Sequence, residues 1–160
     1  MTRPLVAADL HEVLALNQAN TPHVGDLDAE RLSSIVGECS LALVARDGDL
    51  LAGVVLVLGP GATYDSPNYR WFSERYDDFR YVDRIAVDAS VHRGGLGRRL
   101  YAEVFDHARA QGAPIVTAEV NVEPPNPVST AFHASMGFAE VGRQDTYGGS
   151  VTVALMVAPT

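Results

Sequence analysis

Apolar residues recur along this chain at two different periods. Leu10, Val13 and Leu14 with Asn17, and Leu32, Ile35 and Val36 after Asp28, fall three and four residues apart, the spacing that lines one face of a helix. Two short N-terminal helices are predicted, parted by the turn-rich stretch Thr21 to Gly25. Two strands are expected next, Ser40 to Ala45 and Leu50 to Leu58, joined across Arg46, Asp47, Gly48 and Asp49, whose composition suits a hairpin turn. Gly59 to Phe79 shows no period and reads as irregular. A strand from Arg80 to Val87 leads into a glycine-rich turn and a helix with the stripe Leu96, Leu100, Val104 and Ala108, ended by Gly112 and Pro114. Then come a strand Ile115 to Asn121, a helix Val128 to Met136, and closing strands near Ala139 to Arg143 and Val151 to Val157. Alternating β and α segments with hairpins at both ends predict a mixed α/β sheet.

Composition narrows the function classes. With 160 residues, 47% of them hydrophobic, the chain can build one core without disulfide or metal staples, and residues 1–160 are expected to form a single domain. The lone Cys39 has no partner for an internal disulfide, and the start MTRPLVAADLHEV has no apolar segment of the kind a secretory signal needs. A cytoplasmic setting is the expectation. The longest apolar stretch, Leu50 to Leu58, is far shorter than a membrane helix, and a net charge of -8 opposes binding to a phosphate backbone. Membrane and nucleic acid are therefore not expected as partners. The same charge attracts cationic amines, although most acidic proteins carry it for solubility alone.

The turn His92, Arg93, Gly94, Gly95, Leu96, Gly97, Arg98 sits between a strand and a helix, so the unpaired N–H groups of the helix start face the loop mouth. Glycines let the backbone approach a pyrophosphate, and Arg93, Arg98 and Arg99 add positive charge. A plain turn with solvated arginines fits the same residues. No Gly-Lys-Ser/Thr follows, which excludes a Walker loop, and the dinucleotide fingerprint is incomplete. Downstream, Asn126 followed by Pro127 suits a helix N-cap with proline at the first helical position. Val128, Phe132 and Met136 form one apolar stripe, expected to pack, while Asn126, Ser129 and His133 share a polar face, expected to meet a ligand.

The glycine turn resembles the Q/R-x-x-G-x-G/A signature of the GNAT superfamily of N-acetyltransferases, with His92 in place of the usual Gln or Arg. Asn126 to Phe138 resembles that family's second signature, N-x-x-S/A-x-x-F-Y-x-x-x-G-F, in a branch with P-P-N-P and F-H and no assigned substrate. The resemblance implies a mixed, mostly antiparallel sheet of about six to seven strands flanked by about four helices. It implies acetyl transfer from acetyl-CoA to a primary amine, of a small molecule or a peptide, by direct attack on the thioester and without a metal. It further implies that the glycine turn holds the coenzyme pyrophosphate, together with Asn126, Ser129 and His133, and that a backbone N–H between Ile85, Ala86 and Val87 polarises the carbonyl.

Amide formation from a thioester needs a neutral amine and a proton for the leaving thiolate. Ile115, Thr117, Glu119 and Asn121 share one face of their strand, which makes Glu119 a carboxylate on an inner strand and the first candidate base. The resemblance adds that some members carry a base in a Glu-Val pair here, matched by Glu119 and Val120. Asp83, alternating with Tyr81 and Ile85 and able to pair with Arg84, is the second candidate base or an acceptor-binding acid. His133 stands where the family usually has the Tyr that protonates the thiolate. Seven of the twelve aromatic residues lie between Tyr64 and Tyr81. Tyr69, Trp71, Tyr76 and Tyr81 read as an acceptor-site wall, with core packing or a homodimer contact as equal alternatives. A domain that senses acyl-CoA without turning it over is the competing functional reading.

Overall fold

A computed structural model describes the backbone of all 160 residues and the side chains of all but His92, Arg93 and Tyr147. Seven strands form one sheet in the order β1-β2-β3-β4-β5-β7-β6. They are β1 (Thr2–Pro4), β2 (Leu41–Asp47), β3 (Leu50–Leu58), β4 (Arg80–Val87), β5 (Ile115–Glu123), β6 (Ala139–Thr146) and β7 (Val151–Pro159). Every neighbouring pair is antiparallel except β4 and β5. The sheet is therefore mixed, as the alternation of segments predicts, and mostly antiparallel, as the resemblance implies.

Helices cover both faces. On one side lie α1 (Leu10–Ala19), α2 (Ala29–Glu38) and α3 (Pro67–Ser73); on the other lie α4 (Leu96–Ala110) and α5 (Pro127–Ser135). The period-two alternation of each strand sorts its side chains between two cores. Val44, Val54, Leu56 and Tyr81 join Val13, Leu32, Ile35 and Phe72 on the α1–α3 side. Val55, Val57, Val116, Ala118 and Val120 join Leu100, Tyr101, Val104 and Ala108 on the α4 side. Leu51 to Leu58 is buried throughout because β3 is a central strand covered on both faces.

Helix starts follow local chemistry. Asp28 caps α2 by accepting from the Arg31 amide at 2.7 Å, and Asn126 caps α5 with Pro127 behind it. Two elements go beyond the sequence reading. β1, three residues long, is too short to show a period. The segment 59–79 contains α3, started by Ser66, which accepts from the Tyr69 amide, and by Pro67 at the first helical position. That makes five helices rather than four.

The N-terminus is pinned by a buried carboxylate. Asp9 is 2% exposed and takes both guanidinium nitrogens of Arg3 at 2.7 Å, the Val6 amide at 2.9 Å and Arg46 at 3.3 Å. The Arg3 hydrogen bonds hold its carboxyl well below the usual carboxylate range, against the opposing effect of burial. A depressed folded pKa contributes stability that is present above the ordinary value of 3.8 and is lost as pH falls further. Asp9→Asn should cost about 2 kcal/mol at pH 7, and the gap to wild type should narrow as urea titrations are taken below pH 4.

Candidate active site

β4 and β5 are hydrogen-bonded neighbours only at Arg80 with Val116 and Tyr81 with Thr117. Beyond those residues they part. The β3–β4 register jumps from Val57 opposite Val82 to Leu56 opposite Arg84, so Asp83 is an extra residue in a bulge, and a bulge bends its strand. A cleft of about 910 Å³ opens at the parting, bordered from one face by Asp83, Arg84 and Glu119 and from the other by Tyr101, Phe132 and His133. It passes through the sheet, so two reactants can meet from opposite faces.

On the α1–α3 side, Glu119 Oε1 accepts from Tyr81 Oη at 2.9 Å, while Oε2 is buried with no hydrogen-bond partner among the described residues. Tyr81 is itself locked, fully buried with its ring centroid 5.6 Å from that of Tyr69 and 5.8 Å from that of Phe72. Burial first, and the nearby Asp83 carboxylate second, push the Glu119 pKa up from 4.5 to about 8, against the Tyr81 hydrogen bond. Asp83 is fully engaged: Oδ1 accepts from Tyr64 Oη at 2.5 Å and Oδ2 from Arg84 Nε at 2.8 Å. Arg84 also donates to Asn17 Oδ1 and to the Gly25 carbonyl, tying the loop after α1 to the bulge. Both Asp83 oxygens are thus committed, whereas Glu119 keeps one oxygen without a partner among the described residues.

On the α4–α5 side, Gly95 caps α4 at φ 72°, a left-handed conformation that favours glycine, and no side chain among the described residues caps the helix. Its first-turn amides are thus left for a ligand. Gly95, Gly97 and Arg98 border the cleft, and a Cβ at Gly97 would sit 3.5 Å from Phe132 Cζ, narrowing the space beside it. Arg98 donates to Ser135 Oγ at 3.0 Å and meets Met136 Sδ at 3.2 Å. Asn126 and Ser129 also border the cleft, as do Ile85 and Val87. The start of α4 thus offers the cleft amides suited to an anion, and the edge of β4 at Ile85 and Val87 borders the same cleft.

Other expected site residues lie elsewhere. The side chains of His92 and Arg93 fall outside the described residues. Gly94 faces a smaller hollow near Arg46 and Arg99 on the far side, and Ala86 is buried in the α1–α3 core. Tyr69, Trp71 and Tyr76, read as an acceptor-site wall with core packing or a homodimer contact as alternatives, are not among the residues that line the cleft, and each has packing partners within the chain. The Tyr69 hydroxyl donates to the Gly59 carbonyl at 2.6 Å, Trp71 packs against Gly142 of β6 under the Arg75 guanidinium, and Tyr76 packs on Phe72. The apolar stripe predicted for α5 is also reassigned: Val128 is 82% exposed and Phe132 and Met136 are half-buried, whereas His133 is 5% exposed. His133 turns inward because Tyr101, Phe132 and Phe138 surround its ring edge to face. Sequence reasoning missed Tyr64, Asn17 and Tyr101; for Tyr101 the signal was its place one helical turn after Gly97.

Solved structures share this fold over nearly the whole chain. The ribosomal-protein-S18-alanine N-acetyltransferase from Escherichia coli is 20% identical, with 99% of this chain and 92% of that one covered at a TM-score of 0.76. A ribosomal-protein-alanine N-acetyltransferase from Brucella melitensis is 24% identical, with 100% and 99% covered at 0.75. Chaetomium thermophilum Naa20, solved with a bisubstrate analogue, is 24% identical, with 100% and 86% covered at 0.80. No curated protein sequence matches the chain. The family model for GNAT acetyltransferases matches residues 10–138, most of the chain, and on that match the protein belongs to the GNAT acetyltransferase family.

Proposed function

We propose that this acetyl-CoA-dependent N-acetyltransferase acts on an α-amino group, of a small molecule or of a peptide end, with Glu119 as general base. The observation that supports this reading is the cleft through the sheet, with Glu119 on one face and the uncapped start of α4 on the other. Acetyl-CoA, when bound, supplies the thioester carbonyl that the amine attacks. Gly95, Gly97, Arg98, Asn126 and Ser129 are the residues proposed to hold it, and the β4 edge at Ile85 and Val87 the one that orients its carbonyl. Glu119 then removes the proton of the amine as the C–N bond forms. A pKa of about 8 matches an α-ammonium, near ~8, far better than a lysine ammonium, near ~10.4, because proton transfer from the former to the carboxylate is close to balanced. Glu119 in place, with one oxygen free, favours turnover over a sensor that only binds.

The proposed setting is cytoplasmic, where a lone thiol such as Cys39 stays reduced; no helix among the described residues is long and apolar enough to cross a membrane. The test is calorimetric titration with acetyl-CoA, followed by thiol release against amines, amino acids and short peptides. Binding with release to α-amines is expected. Absence of acetyl-CoA binding overturns the reading, and release only with lysine-type amines overturns the α-amine preference.

A further inference from the structure

We propose that Tyr101 delivers the proton to the departing coenzyme A sulfur, and that His133 is the reserve from which the Tyr101 hydroxyl is refilled. This rests on the transferase reading above.

The hydrogen bonds fix the state of the pair. His133 Nδ1 lies 2.8 Å from the Ser129 carbonyl oxygen, which only accepts, so Nδ1 carries a hydrogen. Nε2 of the neutral ring then holds a lone pair and accepts from Tyr101 Oη at 2.7 Å. Both ring nitrogens are committed, Nδ1 to the Ser129 carbonyl and Nε2 to Tyr101 Oη, so a proton on Nε2 leaves His133 only through Tyr101. Protonating the ring reverses one bond. Nε2–H then donates to Tyr101 Oη, and the phenolic hydrogen is released toward the cleft that Tyr101 borders.

The step balances. The C–S bond breaks with its electron pair going to sulfur, Tyr101 Oη–H passes its proton to that sulfur, and His133 Nε2–H passes its own to Oη. Neutral imidazole remains and is recharged along the same path, Tyr101 Oη–H passing its proton to Nε2 and taking one from water in the cleft, while the proton of the amine leaves through Glu119. Burial, and the Glu119 charge after it, raise the Tyr101 phenol above its ordinary ~10, too weak an acid to protonate a thiolate near ~8.5 unaided. An imidazolium that burial holds below its ordinary ~6.5 makes the net transfer downhill. Tyrosine supplies reach and histidine supplies acidity.

Among the described residues few groups face the pair. Glu119 on β5 lies close enough to act on Tyr101 by charge. Arg98 on α4 is committed to Ser135 and Met136, Ser129 is on the same helix as His133, and Phe105, Phe132 and Phe138 complete an apolar surround. Burial holds the His133 pKa below its usual value.

Turnover then needs Glu119 without its proton and His133 with one. Above about pH 8 the Glu119 fraction saturates while the imidazolium fraction still falls tenfold per pH unit, so kcat declines. The experiment is the pH dependence of kcat for wild type, Tyr101→Phe and His133→Ala, each with saturating acetyl-CoA, with folding checked by circular dichroism and coenzyme affinity by calorimetry. Both variants should lose roughly 10- to 100-fold in kcat, keep coenzyme affinity, and lose the alkaline decline, so that their rates rise through pH 8 and level off. A merely structural role would lower the rate without changing the shape of the profile. Tyr101→Phe that keeps the alkaline decline, or a wild type that lacks it, overturns the relay and leaves the transferase standing. A wild type that does not bind acetyl-CoA overturns both.

Discussion

Glu119→Gln should lower kcat by about 10²- to 10⁴-fold, leave acetyl-CoA affinity unchanged, and make the protein more stable at high pH. The first two effects follow from the position of Glu119 on the face of the sheet opposite α4, away from the residues proposed to hold the coenzyme. The third follows from linkage. The folded-state pKa of Glu119 is raised from 4.5 to about 8, so between those values the native state holds a proton that the unfolded chain does not. Wild-type stability therefore falls as pH rises through that window, and above pH 8 the cost of a buried, ionised Glu119 is present in full. Gln keeps a donor and an acceptor and has no such cost. Denaturant titrations at pH 5 and pH 9 should show the variant gaining on wild type by on the order of 3 kcal/mol at the higher pH. A variant with normal turnover would remove Glu119 from the mechanism, and an unchanged pH dependence of stability would mean that the carboxylate is not buried as the structure has it.

Much of this arrangement is written locally, and so was legible in the sequence. The stripe Leu96, Leu100, Val104, Ala108 and the glycines before it place α4 and its open start. The alternation of Thr117, Glu119 and Asn121 against Val116, Ala118 and Val120 puts Glu119 on the correct face, because β5 runs without a bulge from Ile115 to Asn121. What was not legible depends on contacts between distant segments. Asp83 and Arg84 fall on opposite faces under strict alternation, and only the bulge against β3 brings both to the cleft. His133 lies on the polar side of α5 by its own periodicity, yet it is buried because α4 presents Tyr101 to it thirty-two residues away in sequence. The aromatic run could be seen as needing burial, but that it packs against β6 and the end of β3 depends on partners such as Gly142 and the Gly59 carbonyl.

The Asp83–Arg84 pair carries the largest expected stability effect. Their side chains are 3% and 8% exposed, and the guanidinium also satisfies Asn17 and the Gly25 carbonyl. Asp83→Ala leaves a cation in a site built to neutralise it, strands the Tyr64 hydroxyl, and should cost about 3–5 kcal/mol, a fall in Tm of about 10 °C for a chain of this size. Replacing both charges, as in Asp83→Leu with Arg84→Met, should recover part of that loss, since no unpaired charge stays buried, although Asn17 Oδ1 then loses its Arg84 donor while the Gly25 carbonyl keeps the one from Asn17 Nδ2. Activity should respond in the opposite sense to stability at one point. Removing the Asp83 charge takes away the second cause of the raised Glu119 pKa, so the base of any Asp83→Asn enzyme that remains folded should ionise at lower pH. Thermal melts of the single and double variants measure the first effect, and a pH–rate profile of Asp83→Asn the second. A single variant as stable as wild type would show that Arg84 finds solvent when its partner is removed, and an unshifted profile would show that Asp83 and Glu119 do not sense each other across the cleft.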